Sequence, residues 1–383
     1  MNSISSATSS TISHKLHGLD HLRTLAIAFV FIYHYGHIFP SPEWVNKIGK
    51  FGWTGVDLFF VLSGYLIASQ LFEKIARNNS FSLRSFFLKR FFRIIPAYLF
   101  VVVIYFCFPF SRERSTPAPL WKYLTFTQNF GLDLRTQGTF SHAWSLCIEE
   151  QFYFFLPFIL TGLLFFKLFR RSFWLLILLF ILGFFIRFYL YQHFIQPNLD
   201  DDNNWVEWLK LIYYPTYCRL DGLLAGIGIA ALFQFKPIVK ERISRYGNLL
   251  FIASIIILSI AYYICINEQS FIASVYGFPL VSIGYAFMVT SAISPSSFLY
   301  KFNSRTTATI ATLSYAIYLV HKITVHISQE EISQFGIGKD SNLMFLICTI
   351  ASVLGAYLIN RLIEKPFLKI RNKVLAAKNT TSS

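Results

Sequence analysis

Charged residues are scarce in this 383-residue chain and make up only 14% of it. A soluble domain carries about 25% charged residues, so the shortage excludes an ordinary soluble globular protein. Apolar residues make up 55% of the chain, and they form long runs such as 25–39, 56–72 and 249–266. A helix of about 20 apolar residues spans the hydrocarbon core of a bilayer. The chain is therefore predicted to be a polytopic membrane protein.

Cysteine is also rare, with five residues in the whole chain. None of the five stands at a spacing typical of metal ligands, and most of them fall within predicted spans. This distribution argues against a disulfide framework as the basis of the fold, and it predicts no metal site.

Acidic residues are the scarcer of the two charged classes. There are 19 Asp and Glu against 34 Lys and Arg, which gives a net charge of +15. A nucleic-acid partner would explain such an excess, but the basic residues concentrate in short loops that alternate with acidic or mixed loops. The positive-inside rule describes this pattern. We therefore predict that the chain lies in a lipid bilayer and that it does not bind nucleic acid.

Ten helical spans are predicted from the apolar runs. They lie at approximately 20–39, 55–73, 94–110, 146–166, 173–193, 212–234, 249–266, 272–292, 310–328 and 342–362. An even number of spans with both termini in the cytoplasm fits the alternation of basic and acidic loops. The predicted fold class is an all-α, polytopic membrane helix bundle of about ten transmembrane helices. Residues 1–18 are predicted to be a polar tail, 19–366 the membrane domain and 367–383 a basic cytoplasmic tail.

The first predicted span carries two ionisable residues on one face. Arg23 and His34 are eleven residues apart. On a helix they return to within about 20° of the same side and stand about 16 Å apart along the axis. One interpretation is structural, with Arg23 reaching the membrane surface and His34 bonded to a neighbouring helix. The other is functional, because ionisable groups inside a membrane mark functional sites by default.

Further polar residues are predicted at the same depth as His34, in the outer half of the bundle. They are Asp57, Glu150, Arg219, Asp221 and His321. Side chains of both signs at one level predict a polar cavity in which they satisfy one another. A set of separate structural bonds is the alternative.

A basic motif precedes the third span. In SLRSFFLKRFFRIIP (82–96), Arg90 and Arg93 share a helix face, with Lys89 beside them. Arginines at a membrane surface suit phosphate groups, because a guanidinium forms two charge-assisted hydrogen bonds at once. An anchor to anionic lipid headgroups is the alternative.

Seven motifs in a fixed order carry a resemblance to a known family. They are Arg23 with ten residues before His34, GVDLFFVLSGYLI (55–67), KRFFRIIPAY (89–98), WSLCIEEQFY (144–153), RLDGLLAG (219–226), LSYAIYLVH (313–321) and EKP (364–366). In these motifs the chain resembles acyltransferase family 3, the integral-membrane acyltransferases of extracytoplasmic glycans and related acceptors. It departs from the family at Lys89, where a second arginine is common, and at Lys322, where an aromatic residue is common.

The resemblance implies transfer of an acyl group, commonly acetyl, from a coenzyme A thioester to a hydroxyl. The acceptor is a carbohydrate or lipid-linked glycan, such as lipopolysaccharide O-antigen or an exopolysaccharide. Acetyl-CoA or another acyl-CoA is then a co-substrate, and no cofactor stays bound. The implied location is a bacterial cytoplasmic (inner) membrane. His34 and Arg23 match the family's paired histidine and arginine, and Arg90 and Arg93 match the arginines associated with the donor.

These residues suggest a mechanistic hypothesis. His34 acts as general base, because imidazole titrates close to operating pH, and Asp57 or Glu150 fixes its tautomer. In an alternative order of steps, His34 is a transient acyl carrier. The candidate residues for an acceptor or oxyanion site are Arg219, Asp221 and His321.

Two other functional classes stay open. A transporter or flippase of a glycan or acyl group would also need ten spans and a polar interior, although no internal symmetry of the kind common in transporters is evident. A membrane sensor or scaffold would not require Arg23 and His34 to share a face. Acyl-CoA hydrolysis or transfer in membranes separates an enzyme from both classes.

Overall fold

The computed structural model describes residues 16–77, 82–169 and 172–380, and helices dominate these ranges. The α-helices are α1 (His17–Ile38), α2 (Glu43–Gly49), α3 (Gly55–Ala76), α4 (Leu83–Cys107), α5 (Leu120–Leu124), α6 (Trp144–Phe165), α7 (Ser172–Leu190), α8 (Asn204–Trp208), α9 (Asp221–Phe235), α10 (Pro237–Ser244), α11 (Gly247–Ile264), α12 (Phe278–Ala292), α13 (Phe298–Lys301), α14 (Arg305–Ser333), α15 (Asn342–Ile359) and α16 (Lys365–Thr380). The described ranges contain no β-strand, only an isolated bridge between Pro117 and Thr139. The predicted all-α class is confirmed. The predicted tail 1–18 lies mostly outside the described residues.

Eight helical segments of the described ranges are long and apolar enough to cross a membrane, or nine if the bent pair α9 and α10 counts as one span. α1 has 22 residues, which is enough length at about 1.5 Å per residue. It is less apolar than the others because it carries Asp20, Arg23 and four histidines. Nine of the ten predicted spans overlap one of these eight segments or the bent pair, and the first predicted span overlaps α1. The chain is an integral multi-pass membrane protein. The side of the membrane that each terminus faces stays a prediction.

α1 packs against α3, α12 and α14 in the interior of the bundle. α1 and α14 run in the same direction, because Thr24 Oγ1 donates to the Thr307 carbonyl at 2.9 Å near their starts and His34 meets His321 further along both helices. We call the end where α1 and α14 begin the basic end, and the opposite end the far end. The predicted topology makes the basic end cytoplasmic.

Glycines allow α3 and α9 to pack backbone against backbone. A Cβ added to Gly64 would lie 2.2 Å from the Leu223 carbonyl oxygen, and one added to Gly226 would lie 2.3 Å from that of Val61. Small residues allow such close approach of helices in membranes. This contact brings the start of α9 next to the start of α3.

The prediction of one continuous span at 212–234 is wrong at its beginning. The chain there forms a π-helical turn (Leu209–Tyr213) and a 3-10 turn (Thr216–Cys218), and α9 begins only at Asp221. Pro215, between the two turns, lacks the N–H that a continuous helix needs. Arg219 therefore lies just before α9 rather than within a helix.

Candidate functional site

Three histidines meet towards the far end of α1. His34 Nδ1 lies 2.8 Å from His321 Nε2, and the two rings stack with their centroids 5.0 Å apart. The ring of His142 lies 5.7 Å from that of His34 and 4.9 Å from that of His321. His142 and His321 are buried, whereas His34 is partly exposed. We call these residues the histidine cluster. Sequence reasoning missed His142, although it stands two residues before the motif that begins at Trp144.

Hydrogen bonds indicate which ring nitrogen of His34 and of His321 carries hydrogen. His321 Nδ1 lies 2.9 Å from the Tyr318 carbonyl oxygen, and this nitrogen donates because a carbonyl only accepts. With neutral rings, His321 Nε2 is then an acceptor, and His34 Nδ1–H donates to it. His34 Nε2 keeps a free lone pair. By accepting this hydrogen bond His321 fixes the tautomer and the orientation of the His34 ring, as a carboxylate does for the histidine of a serine protease, but without its negative charge.

Lys322 brings a positive charge to the histidine cluster. Its Nζ donates to Ser141 Oγ at 3.1 Å and lies 3.7 Å from Glu113 Oε1. It acts electrostatically on all three histidines of the cluster. Neither ring nitrogen of His142 makes a hydrogen bond within the described residues. A buried polar group without a partner costs about 1–3 kcal/mol, so this arrangement favours uptake of a further polar group.

Three arginines form a second cluster towards the basic end. Arg23, Arg90 and Arg93 lie within electrostatic range of one another, and Arg90 stands over the Tyr153 ring at 5.3 Å. We call them the arginine cluster. Carboxyl groups that interact with it are Asp20, Glu149, Glu150 and Glu364. Arg23 and His34 thus both face the protein interior from α1.

Glu150 lies with the arginine cluster and not at the level of His34. Its charged neighbours are Glu149 and Arg90. The reason is that α6 begins at Trp144, before its apolar run, and runs from the far end towards the basic end, so Glu150 lies deeper than its place in the apolar run indicates. Eight residues separate His142 from Glu150, which is about 12 Å along a helix.

Asp57 and Arg219 pair with each other. Arg219 Nη2 donates to Asp57 Oδ1 at 2.9 Å and to Oδ2 at 3.0 Å, and both side chains are buried. Four aromatic rings surround the guanidinium at 4.1 to 5.9 Å, from Trp53, Trp144, Tyr213 and Phe278. This cation–π enclosure and the carboxylate occupy Arg219. Asp57 is therefore bonded to Arg219 and not to His34. Arg219 is likewise held in this pair and not beside His34.

Asp221 belongs to a separate buried pair. Arg187 Nη1 donates to Asp221 Oδ2 at 2.7 Å and to the Cys218 carbonyl at 2.6 Å. Arg187, in α7, was not among the predicted site residues. The predicted single polar cavity therefore divides into the histidine cluster, the arginine cluster and two buried ion pairs.

Asp57→Asn is expected to lower the free energy of unfolding by about 3–5 kcal/mol, because it leaves the Arg219 charge buried without its partner. Glu73→Gln is the matched control, since the exposed Glu73–Arg77 pair is worth about 0–1 kcal/mol. Denaturant titration in detergent measures both changes. Equal losses in the two variants would contradict a special role for the buried pair.

Glu268, in the loop between α11 and α12, adds a pH dependence. Burial raises the pKa of Glu268 to about 8, although the nearby Arg219 opposes the shift. In the unfolded chain a glutamate titrates at about 4.3. The folded state therefore holds a proton that the unfolded state releases, and stability falls as pH rises through this interval. Glu268→Gln is expected to flatten the fall in Tm between about pH 5 and pH 8. An unchanged pH profile would exclude Glu268 as its source.

The fold and these clusters define an integral-membrane protein with ionisable groups inside its helix bundle, and comparison with known proteins narrows this class to one family. A family model described as "Acyltransferase domain" matches residues 16–361. The chain belongs to this family, acyltransferase family 3. All three histidines and all three arginines of the two clusters fall within the matched residues.

Curated relatives of the chain include proteins of Staphylococcus aureus. The chain is 30% identical over 379 residues to O-acetyltransferase OatA of strain NCTC 8325, and equally to OatA of strain COL. Each alignment covers 94% of this chain and 58% of the relative, so the chain spans little more than half the length of these proteins. No solved structure matches the chain.

Proposed function

We propose that the chain is a membrane O-acyltransferase that moves an acetyl group from acetyl-CoA to a hydroxyl of a surface carbohydrate. Lipopolysaccharide O-antigen and exopolysaccharide are the acceptors we favour. The observation that carries the proposal is the free Nε2 of His34, oriented by His321 beside the charge of Lys322. Family membership supports acyl transfer, and the name of the relatives, O-acetyltransferase, supports the acetyl group.

In this proposal the two substrates reach the site from opposite ends of the bundle. Acyl-CoA arrives from the basic end, where arginines attract its anionic part. Its long and nearly neutral pantetheine arm follows α1 and brings the thioester to His34, about 16 Å from Arg23 along the helix. The acceptor arrives from the far end.

At His34 the acceptor hydroxyl gives its proton to Nε2 while its oxygen attacks the thioester carbonyl carbon. The C–O bond forms, the resulting oxyanion collapses, and the C–S bond breaks. The leaving thiolate takes the proton back from His34, so the imidazole returns to its starting state. Lys322 stabilises the oxyanion, because a positive charge held in a buried position acts strongly on developing negative charge.

An acetyl-imidazole at His34 is a second route from the same substrates to the same products. Rapid quenching with acetyl-CoA alone separates the two routes. Label on His34 without acceptor supports the carrier, and its absence during active turnover supports the base.

The test of the function uses purified protein in proteoliposomes. Radiolabelled acetyl-CoA is supplied on one side of the membrane and a glycan acceptor on the other, with each orientation tried. If the protein transfers the acetyl group, the acceptor carries a labelled ester, and mild alkali releases the label from it. A transporter or scaffold would yield no such ester. Mass spectrometry of cell-surface glycans with and without the gene identifies the natural acceptor by its added mass.

A further inference from the structure

The arginine cluster is poorly suited to hold all the phosphates of coenzyme A. Carboxyl groups of Glu149 and Glu150 interact with Arg90, and that of Glu364 interacts with Arg93. Negative charge on these carboxyl groups offsets part of the positive charge of the cluster and repels a phosphate. The nucleotide end of coenzyme A carries a 3′-phosphate and a pyrophosphate, so several negative charges need a further set of cations.

Such a set lies beside the cluster, at the basic end. α4 and α16 are in contact at this end of the bundle, and Lys89 in α4 lies within electrostatic range of Arg371 in α16, of Lys74 in α3 and of Arg90. Lys89 is exposed, and Lys74 and Arg371 are partly exposed. We call Lys74, Lys89 and Arg371 the cation rim.

Among the residues that the structure describes, no carboxylate forms an ion pair with Lys74, Lys89 or Arg371. The charges that act most strongly on Lys89 are those of Lys74, Arg371 and Arg90, all of them positive. The acidic neighbour of Lys74 in sequence, Glu73, is paired with Arg77 at 2.5 Å, and Arg371 donates only to the neutral side chain of Asn372. Like charges held together by three helices repel one another, and they attract a polyanion to the place where they meet.

We infer that the cation rim binds the 3′-phosphate and pyrophosphate of the acyl-CoA donor, and this rests on the proposed function. Arg90 links the rim to the interior, because it acts both on Lys89 and on Arg23. The donor's nucleotide then stays at the surface while its pantetheine arm enters past the arginine cluster. The family match ends at residue 361 and α16 begins at Lys365, so the contribution of Arg371 lies outside the matched domain.

Donors of decreasing charge test the inference. The kinetic constants of acetyl-CoA, acetyl-(3′-dephospho)-CoA and acetyl-pantetheine are measured for wild type and for Lys89→Gln with Arg371→Gln. For acetyl-CoA the double variant is expected to raise KM by about tenfold or more at unchanged kcat, which corresponds to about 1.4 kcal/mol of binding. For acetyl-pantetheine, KM should stay within about twofold. Lys373→Gln is the matched control, since Lys373 is exposed on α16 and is not among the groups that act on Lys89.

Equal KM changes for all three donors, or no change for acetyl-CoA, would overturn the inference. Phosphate headgroups of anionic lipids share the chemistry of the donor phosphates, so the measurements are repeated in nanodiscs with and without phosphatidylglycerol. A KM difference that persists in phosphatidylcholine alone supports donor binding, and one that disappears there assigns the rim to lipid. Absence of transfer by the wild-type protein with every donor would refute the proposed function instead.

Discussion

His34→Gln is expected to lower kcat for acyl transfer by about 10²–10⁴-fold, the range that a positioned general base contributes. The glutamine amide can still donate a hydrogen bond to His321 Nε2, so the local packing persists. It offers no basic lone pair to the acceptor hydroxyl. The donor KM should change little, because the donor's anionic groups bind near the basic end of the bundle. Steady-state kinetics with purified protein measure both quantities.

His321 supplies the matched control for this prediction. In His321→Gln the side-chain carbonyl can accept from His34 Nδ1–H, whereas His321→Phe removes the acceptor and keeps a ring. We expect the glutamine variant to retain more activity than the phenylalanine variant, and only the latter to change the pH profile of kcat/KM. Full activity of His34→Gln at normal expression would end the assignment of His34 as base.

Helix positions and helix faces could be predicted from this sequence because the bilayer demands long apolar runs. The shared face of Arg23 and His34 followed from helical periodicity, and both residues do point into the protein. The structure accordingly gives each of them interior neighbours, Arg93 for Arg23 and His321 for His34.

Partners across helices could not be predicted in the same way. Counting residues gives the depth of a side chain along its helix but not which helix stands beside it. The neighbours of Asp57 depend on close packing of α3 and α9 at Gly64 and Gly226, which only the folded chain reveals. Asp57 therefore pairs with Arg219 and does not make the expected contact with His34.

The predicted depth of a side chain in the bundle was wrong where a helix begins before its apolar run. α6 begins at Trp144, directly after the 3-10 turn that carries His142. Glu150 is therefore nearly two turns inside the helix and reaches Arg90. His142 was missed because it precedes the apolar run. A polar residue at the end of a span is common and does not by itself indicate a functional site.

Lys322→Met is expected to lower kcat by about 10²–10³-fold, the loss that follows removal of one group stabilising an oxyanion. Methionine keeps a long, unbranched side chain but removes the charge next to the histidine cluster. The donor KM should stay close to that of wild type, because the charge acts on the reacting carbonyl. Kinetics with saturating donor and acceptor measure the change.

The buried side chain of Glu113 complicates this variant, because Lys322→Met leaves it without the cation 3.7 Å away. The double variant Glu113→Gln, Lys322→Met removes both charges and separates catalysis from folding. Lys210→Met is the matched control, since Lys210 pairs with Asp133 and Glu207 outside the histidine cluster. Wild-type kcat in the double variant would show that Lys322 only holds Glu113 in place. Lys322→Phe introduces the aromatic residue that is common at this position in the family. This variant tests whether catalysis by this chain requires the charge of Lys322. We expect it to lower kcat about as much as Lys322→Met does.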